Sequence, residues 1–140
     1  MTPEQLDHLG SVNRQIMEMV NEHSPIVRKL RISDVSNSWY VSIEADEKVV
    51  ACVEVHRVSW YQAEIRHLVV LPDYRRHGLG SDVLAKACSE AREAGLKVAQ
   101  CTIRTDNYPS LSLFALDGFT STLQFQGLSG NTVSLWQKLL

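Results

Sequence analysis

Val70-Leu71-Pro72-Asp73-Tyr74-Arg75-Arg76-His77-Gly78-Leu79-Gly80-Ser81 is the stretch whose reading decides the fold. An apolar strand-like run stops at Pro72, a basic turn follows, and Gly78 and Gly80 bracket the start of a helical pattern. Proline cannot donate to a strand ladder, so the run ends there. The glycines let the backbone take a positive φ and let a ligand come close to the main chain. The first amides of a helix have no partner inside it, and the positive end of the helix dipole lies behind them. With Arg75 and Arg76 alongside, such a turn suits a pyrophosphate. It is not a P-loop, because no lysine follows the glycines, and it is not a dinucleotide fingerprint, because position 83 is Val83 rather than a third glycine.

Downstream of this turn, Val83, Leu84, Ala87, Cys88 and Ala91 mark one face of a helix running from near Gly80 to Gly95. A strand over Val98 to Arg104 is expected next, then a short helix from about Pro109 to Leu116 closed by Gly118. Two strands, near Thr122 to Gln126 and Thr132 to Lys138, flank a turn at Gly127 to Gly130. Upstream, Trp39 to Ile43 alternates towards a turn at Asp46-Glu47-Lys48, and the β-branched run Val49 to Val58 returns. Ala63 to Leu71 follows a turn near Ser59 to Gln62, which predicts a three-strand meander. The chain opens helically: Leu6, Leu9, Val12, Ile16, Met19 and Val20 recur near 3.6 residues, interrupted at Gly10 and ended by Pro25. Ile26, Val27, Leu30 and Ile32 suggest a second short helix, with Arg28, Lys29 and Arg31 as a solvated basic cluster. The order α-α-β-β-β-α-β-α-β-β predicts a mixed α/β sheet with helices on its faces.

Composition bounds the function. The chain has 140 residues, which suits one domain, and 44% of them are hydrophobic, enough for a core. Its formal net charge of −2 supplies no overall positive field for nucleic acid. The longest apolar runs, such as Val49 to Val53, are five residues, far short of the ~20 that span a bilayer. No signal peptide or lipidation motif is visible. Cys52, Cys88 and Cys101 are odd in number and sit in apolar patterns, so reduced core thiols and a cytoplasmic setting are expected. No histidine or cysteine spacing points to a metal.

Two motifs carry a family resemblance. Arg75, Gly78 and Gly80, preceded by Val70 and Pro72, resemble the R/Q-x-x-G-x-G/A motif of the GNAT acetyltransferases, and Asn107, Ser110, Leu113, Phe114, Gly118 and Phe119 resemble a second motif of that superfamily. The two come in the family's order, and the resemblance covers about residues 36 to 140. It implies a mixed, mostly antiparallel central sheet, an acetyl-CoA-binding core over 36–140 and an N-terminal helical region over 1–35 that shapes the acceptor pocket. It also implies that the amides of Arg76, His77, Gly78, Leu79, Gly80 and Ser81 hold the coenzyme A pyrophosphate, with Arg75 beside them. The backbone of Leu68, Val69 and Val70 would bond the pantetheine arm, the Leu68 amide would polarise the thioester carbonyl, and Asn107 would contact the arm while capping the short helix.

The activity implied is transfer of an acetyl group to a primary amine by direct attack in a ternary complex. A lysine-like ammonium must lose about 3.4 pKa units of handicap at pH 7, roughly 4.6 kcal/mol. Glu64 is the expected proton acceptor, four residues before the acetyl-CoA strand segment, at an offset where members of the family carry a glutamate base. His67 shares that strand and, by strict alternation, falls on the face opposite Glu64; it and His56 read as sheet-face histidines. Phe114 stands where many members have a tyrosine that protonates the leaving thiolate, so that role is left to Tyr108, Ser112 or a water, or the coenzyme A thiolate leaves unassisted. A non-catalytic acyl-CoA-binding module is the alternative. Edge strands in the C-terminal hairpin point to a homodimer.

Overall fold

The computed structural model describes residues 2–23, 37–128 and 130–140. Helix α1 spans Pro3–His23. It starts in a reciprocal cap: Thr2 Oγ1 accepts from the Gln5 amide at 3.1 Å, and Gln5 Oε1 accepts from the Thr2 amide at 2.8 Å. The helix runs through Gly10, where the sequence suggested an interruption. A helical glycine costs only about 1 kcal/mol, and buried Val12, Ile16, Met19 and Val20 more than offset it. The expected helix from Ile26 to Ile32 and the basic cluster beside it lie outside the described residues.

The meander forms as expected. Strands β1 (Ser38–Ala45), β2 (Lys48–Arg57) and β3 (Gln62–Val70) pair antiparallel in turn. Asp46 and Glu47 both take positive φ, 52° and 62°, as a two-residue hairpin turn of the right twist requires. A single 3₁₀ turn at Pro72–Tyr74 leads to α2 (Leu79–Glu93), which starts one residue before Gly80. Then come β4 (Val98–Arg104), α3 (Tyr108–Leu116), β5 (Thr120–Gln126) and β6 (Thr132–Leu139). The sheet order is β1-β2-β3-β4-β6-β5, and among the described residues β3 with β4 is its one parallel pair. The fold is a mixed, mostly antiparallel sheet flanked by helices.

Helix α2 lays Val83, Leu84, Ala87, Cys88 and Ala91 against one sheet face, together with Val53, Val55 and Ile65. Helix α1 covers part of the other face, meeting Val49, Cys52 and Val69. Strand β2 is therefore sandwiched and buried from Val49 to Val55, which is why Val49 to Val53 reads as a continuous apolar run. Gln15 Oε1 pins α1 to the sheet by accepting the Val49 amide at 2.9 Å. All three cysteines are free and buried. Among the described residues, no helix is long and apolar enough to cross a membrane.

Candidate active site

The site begins where two neighbouring strands part. Parallel pairing of β3 with β4 covers just Gln62↔Val98, Ala63↔Ala99 and Glu64↔Gln100. Beyond Glu64 each strand stays with its outer neighbour: Val69 and Val70 pair with β2, while β4 follows β6 to Arg104. The wedge between them is a cleft of about 290 Å³, walled by Ile65 to Leu68 on one side and Cys101 to Arg104 on the other. Asn107, Ser110 and Phe114 of α3 close its end. Phe114 is held by an edge-on contact with Phe119, ring centres 5.0 Å apart.

A bulge sets what faces the cleft. Glu54 pairs with Arg66 and Cys52 with Val69, so Val53 alone opposes both His67 and Leu68. His67 takes a left-handed φ of 52° to make room. The inserted residue reverses the alternation: Ala63 and Ile65 pack in the α2-side core, and after the bulge Leu68 and Val70 do, while Val69 joins the α1 side. Strict period two put His67 opposite Glu64, and this is corrected. Arg66 and His67, adjacent in sequence, both reach the carboxylate of Glu54, at 3.9 and 3.6 Å.

Glu54 is the residue that sequence reading missed. It is 2% exposed, at the centre of β2. Ser38 Oγ donates to it at 2.6 Å and Tyr40 Oη at 3.5 Å, and Ser38 Oγ also lies 2.7 Å from His56 Nδ1. Burial first, and then the Glu54 charge, push the Tyr40 phenol up, so it remains a donor. His67 is shifted down from its ordinary 6.5, chiefly by burial, against the opposite pull of Glu54. The signal was there: Glu54 is the one carboxylate inside the apolar run Val49 to Val58. Glu64 stands on the same face with both oxygens engaged by Arg66, at 3.1 Å from Nε and 3.3 Å from Nη2.

The glycine turn lies at the open end of β3. Arg76 and Gly78 take φ of 67° and 77°, and Gly78 caps α2 in the left-handed conformation. A Cβ at Gly78 would meet nothing within 4 Å, so this side of the turn is open to a ligand. A Cβ at Gly80 would instead meet Leu113 at 3.4 Å, so Gly80 serves the packing of α2 on α3. The intrahelical ladder starts with the Asp82 amide on the Gly78 carbonyl at 3.0 Å, leaving the amides of Leu79, Gly80 and Ser81 without partners inside the helix. Arg75 turns back to donate from Nε to the Val70 carbonyl at 3.0 Å, tying the turn to the strand end, while Arg76 and His77 are exposed.

Asn107 caps α3 by accepting the Ser110 amide at 3.4 Å and also lines the cleft. The structure thus brings Leu68, His67, Asn107 and Phe114 together around one cleft. Tyr108 is 71% exposed at the start of α3 and Ser112 is exposed; neither is among the residues lining the cleft. Among the described residues, no three His, Cys, Asp or Glu side chains gather in a way that could hold a metal ion.

This arrangement of splayed strands, bulge and glycine turn has known relatives. The profile of the family described as Acetyltransferase (GNAT) matches residues 8–119. An uncharacterized N-acetyltransferase from Archaeoglobus fulgidus is 30% identical over 101 residues, spanning 61% of this chain and 69% of its own length. Among solved structures, Ard1 from Thermoplasma volcanium superposes with a TM-score of 0.78 at 18% identity, covering 91% of this chain and 92% of that one. The Salmonella typhimurium protein yncA, solved with its cofactor acetyl-CoA, also has a TM-score of 0.78, at 20% identity over 94% of this chain and 89% of its own. At those identities the two structures speak for the fold, whereas the profile spans both the glycine turn and the Asn107 to Phe119 motif. On that match, the chain belongs to the GNAT family of acetyltransferases.

Proposed function

We propose that this chain transfers the acetyl group of acetyl-CoA to a primary amine, by direct attack within a ternary complex. The observation that carries the reading is the cleft between β3 and β4, which meets a helix N-terminus capped by the open Gly78. The amides from Arg76 to Ser81 suit the pyrophosphate, by charge and by space. The free strand edge of Leu68 to Val70 suits an extended pantetheine arm, hydrogen-bonded as an added strand would be. The bulge turns the Leu68 backbone out of regular pairing, which favours the Leu68 amide as the donor to the thioester carbonyl. Asn107 meets the same arm from α3.

Glu64 accepts the proton that the incoming ammonium must lose before it can attack. It sits on the face that α1 partly covers, so the region 1–35 shapes the acceptor pocket in this reading, as one unit with the core over 36–140. All three thiols are buried and have their protons held on by burial, Cys52 up to about 12, Cys88 up to about 11 and Cys101 likewise raised, which favours direct attack over an acetyl-cysteine intermediate. The free thiols also support a cytoplasmic setting. All seven residues of β5 are exposed at the end of the sheet, which supports a homodimer formed along that edge.

The test is binding followed by turnover. At a hundredfold excess over Kd, acetyl-CoA stabilises the fold by about 2.7 kcal/mol, roughly 5–10 °C in Tm, and pantetheine lacking the pyrophosphate does much less. Thiol release from acetyl-CoA is then measured against a panel of primary amines. Equal stabilisation by both ligands refutes the coenzyme A assignment. Stabilisation with no thiol release from any amine favours the binding-only module, the reading that buried Phe114 in place of a tyrosine supports.

A further inference from the structure

The acetyltransferase reading leaves one proton without a carrier. After attack, the nitrogen still bears a second proton, and the departing sulfur needs one. Phe114 has no proton to give, and it lines the cleft where a donor would stand. His67 lines the same cleft from the opposite strand, next to the Leu68 amide, with Nε2 3.6 Å from the buried Glu54 carboxylate. We propose that His67 carries this proton, taking it from the nitrogen of the tetrahedral intermediate and delivering it to the sulfur, with Glu54 as the residue that positions the ring.

The proposal rests on the transferase reading and deepens it. In the step, the N–C bond has formed and the C–S bond breaks. The nitrogen loses its extra proton to His67, and His67 returns that proton to the sulfur, so the product is a neutral amide with a thiol and no net proton is consumed. Glu64 acts earlier, on the ammonium, and its proton goes to solvent. No oxidant or further reactant is needed.

Three features support this division. Glu54 Oε1 lies 3.6 Å from Nε2, at ion-pair distance, and its charge favours the proton on Nε2 and the lone pair on Nδ1. Burial keeps the ring neutral near pH 7, ready to accept a proton. Glu54 then faces the imidazolium while the proton is in transit, as a carboxylate does behind a catalytic histidine. Glu54 is itself held by Ser38 and Tyr40 of β1, and Ser38 is held in turn by His56. Among the described residues, the charged and titratable groups around His67 include Glu54 on β2, Tyr40 on β1, and Glu64 and Arg66 on β3 itself. Across the cleft, β4 contributes Cys101 and Arg104, the latter paired with Asp106 at 2.8 Å. On this sheet face α1 packs Val12, Ile16, Met19 and Val20, none of them titratable.

The test uses the full chain. His67→Asn keeps a polar side chain at a left-handed φ of 52°, which asparagine tolerates better than most residues. It should lower kcat by about 10² or more, with the KM for acetyl-CoA within about threefold of wild type. His67→Gln, a closer match in size, should do the same. Glu54→Gln should lower kcat less and move its acid limb to lower pH, because the imidazolium loses its counter-charge; Glu54→Asp should restore part of both. A His67→Asn enzyme with kcat within threefold of wild type overturns the proposal. A second readout needs no acceptor: ¹⁵N NMR of the His67 ring should show the Nε2–H tautomer titrating below 6.5, and lower still in Glu54→Gln. The Nδ1–H tautomer, or titration above 6.5, overturns it. Wild-type protein that binds acetyl-CoA yet acetylates no amine refutes the transferase reading instead, and the NMR result still decides the role of the Glu54–His67 pair.

Discussion

Glu64→Gln separates a structural from a chemical role, because the two carry different magnitudes. Glu64 pairs with Arg66 at 3.1 and 3.3 Å, and both side chains are about one-third exposed, 31% and 35%. Such a pair contributes about 0.2–1 kcal/mol. Glutamine keeps one acceptor oxygen for Arg66, so Tm should fall by no more than roughly 2–4 °C. A lost general base costs far more, about 10² to 10⁴ in rate, or roughly 2.7–5.4 kcal/mol of activation free energy. The pH dependence differs too. If Glu64 supplies the free amine, wild-type turnover is flat over the neutral range. The variant draws on bulk free amine, which rises tenfold per pH unit below an amine pKa of about 10.4. The deficit should therefore shrink about tenfold for each unit between pH 7 and 9. The assay is thiol release from acetyl-CoA with the best amine of the panel, with acetyl-CoA affinity checked by thermal shift. A variant that turns over within threefold of wild type at pH 7, with a parallel pH profile, refutes Glu64 as the base.

Four further outcomes follow from the geometry. Gly78→Val must hold a β-branched residue at φ 77°, so acetyl-CoA-dependent stabilisation should largely vanish while far-UV circular dichroism is retained; undiminished stabilisation would show that the turn is only a turn. Phe114→Ala empties a buried site against Phe119 and should cost about 3–5 kcal/mol in urea unfolding, whereas a loss under 1 kcal/mol would contradict the packing. Cys52 and Cys88 bind their protons more tightly folded than at the ordinary 9.0, so the unfolded chain ionises first and stability should fall as pH rises from about 9 towards 11; a flat urea midpoint over that range argues against their burial. His67 has the opposite sign: its pKa is lowered, so the unfolded chain binds the proton first and stability should fall as pH drops below about 6.5, by less in His67→Asn.

What the chain wrote locally could be read locally. Pro72 ends a strand, Gly78 admits a positive φ, and Asn107 caps a helix because each acts through its own backbone or that of residues a few places away. The meander, the α2 stripe and the two motifs therefore stood in the sequence, and with them the glycine turn and one end of the cleft. Gly10 was misread because a propensity of about 1 kcal/mol is small beside the burial of Ile16 and Val20 several residues on. The inner half of the site depended on pairing between distant strands. Alternation with period two cannot foresee that Val53 will oppose two residues of β3, yet that bulge turns His67 onto the face of Glu64 and frees Leu68 from the ladder. Ser38, Tyr40, Glu54, Arg66 and His67 lie on three strands and meet only through the register of β1 with β2 and β2 with β3. The chain alone determined the glycine turn at which we propose a phosphate-bearing ligand, because helix ends and glycines act at short range. Tertiary structure decided which polar side chains gather around Glu54, because a buried charge network exists only once its strands are aligned.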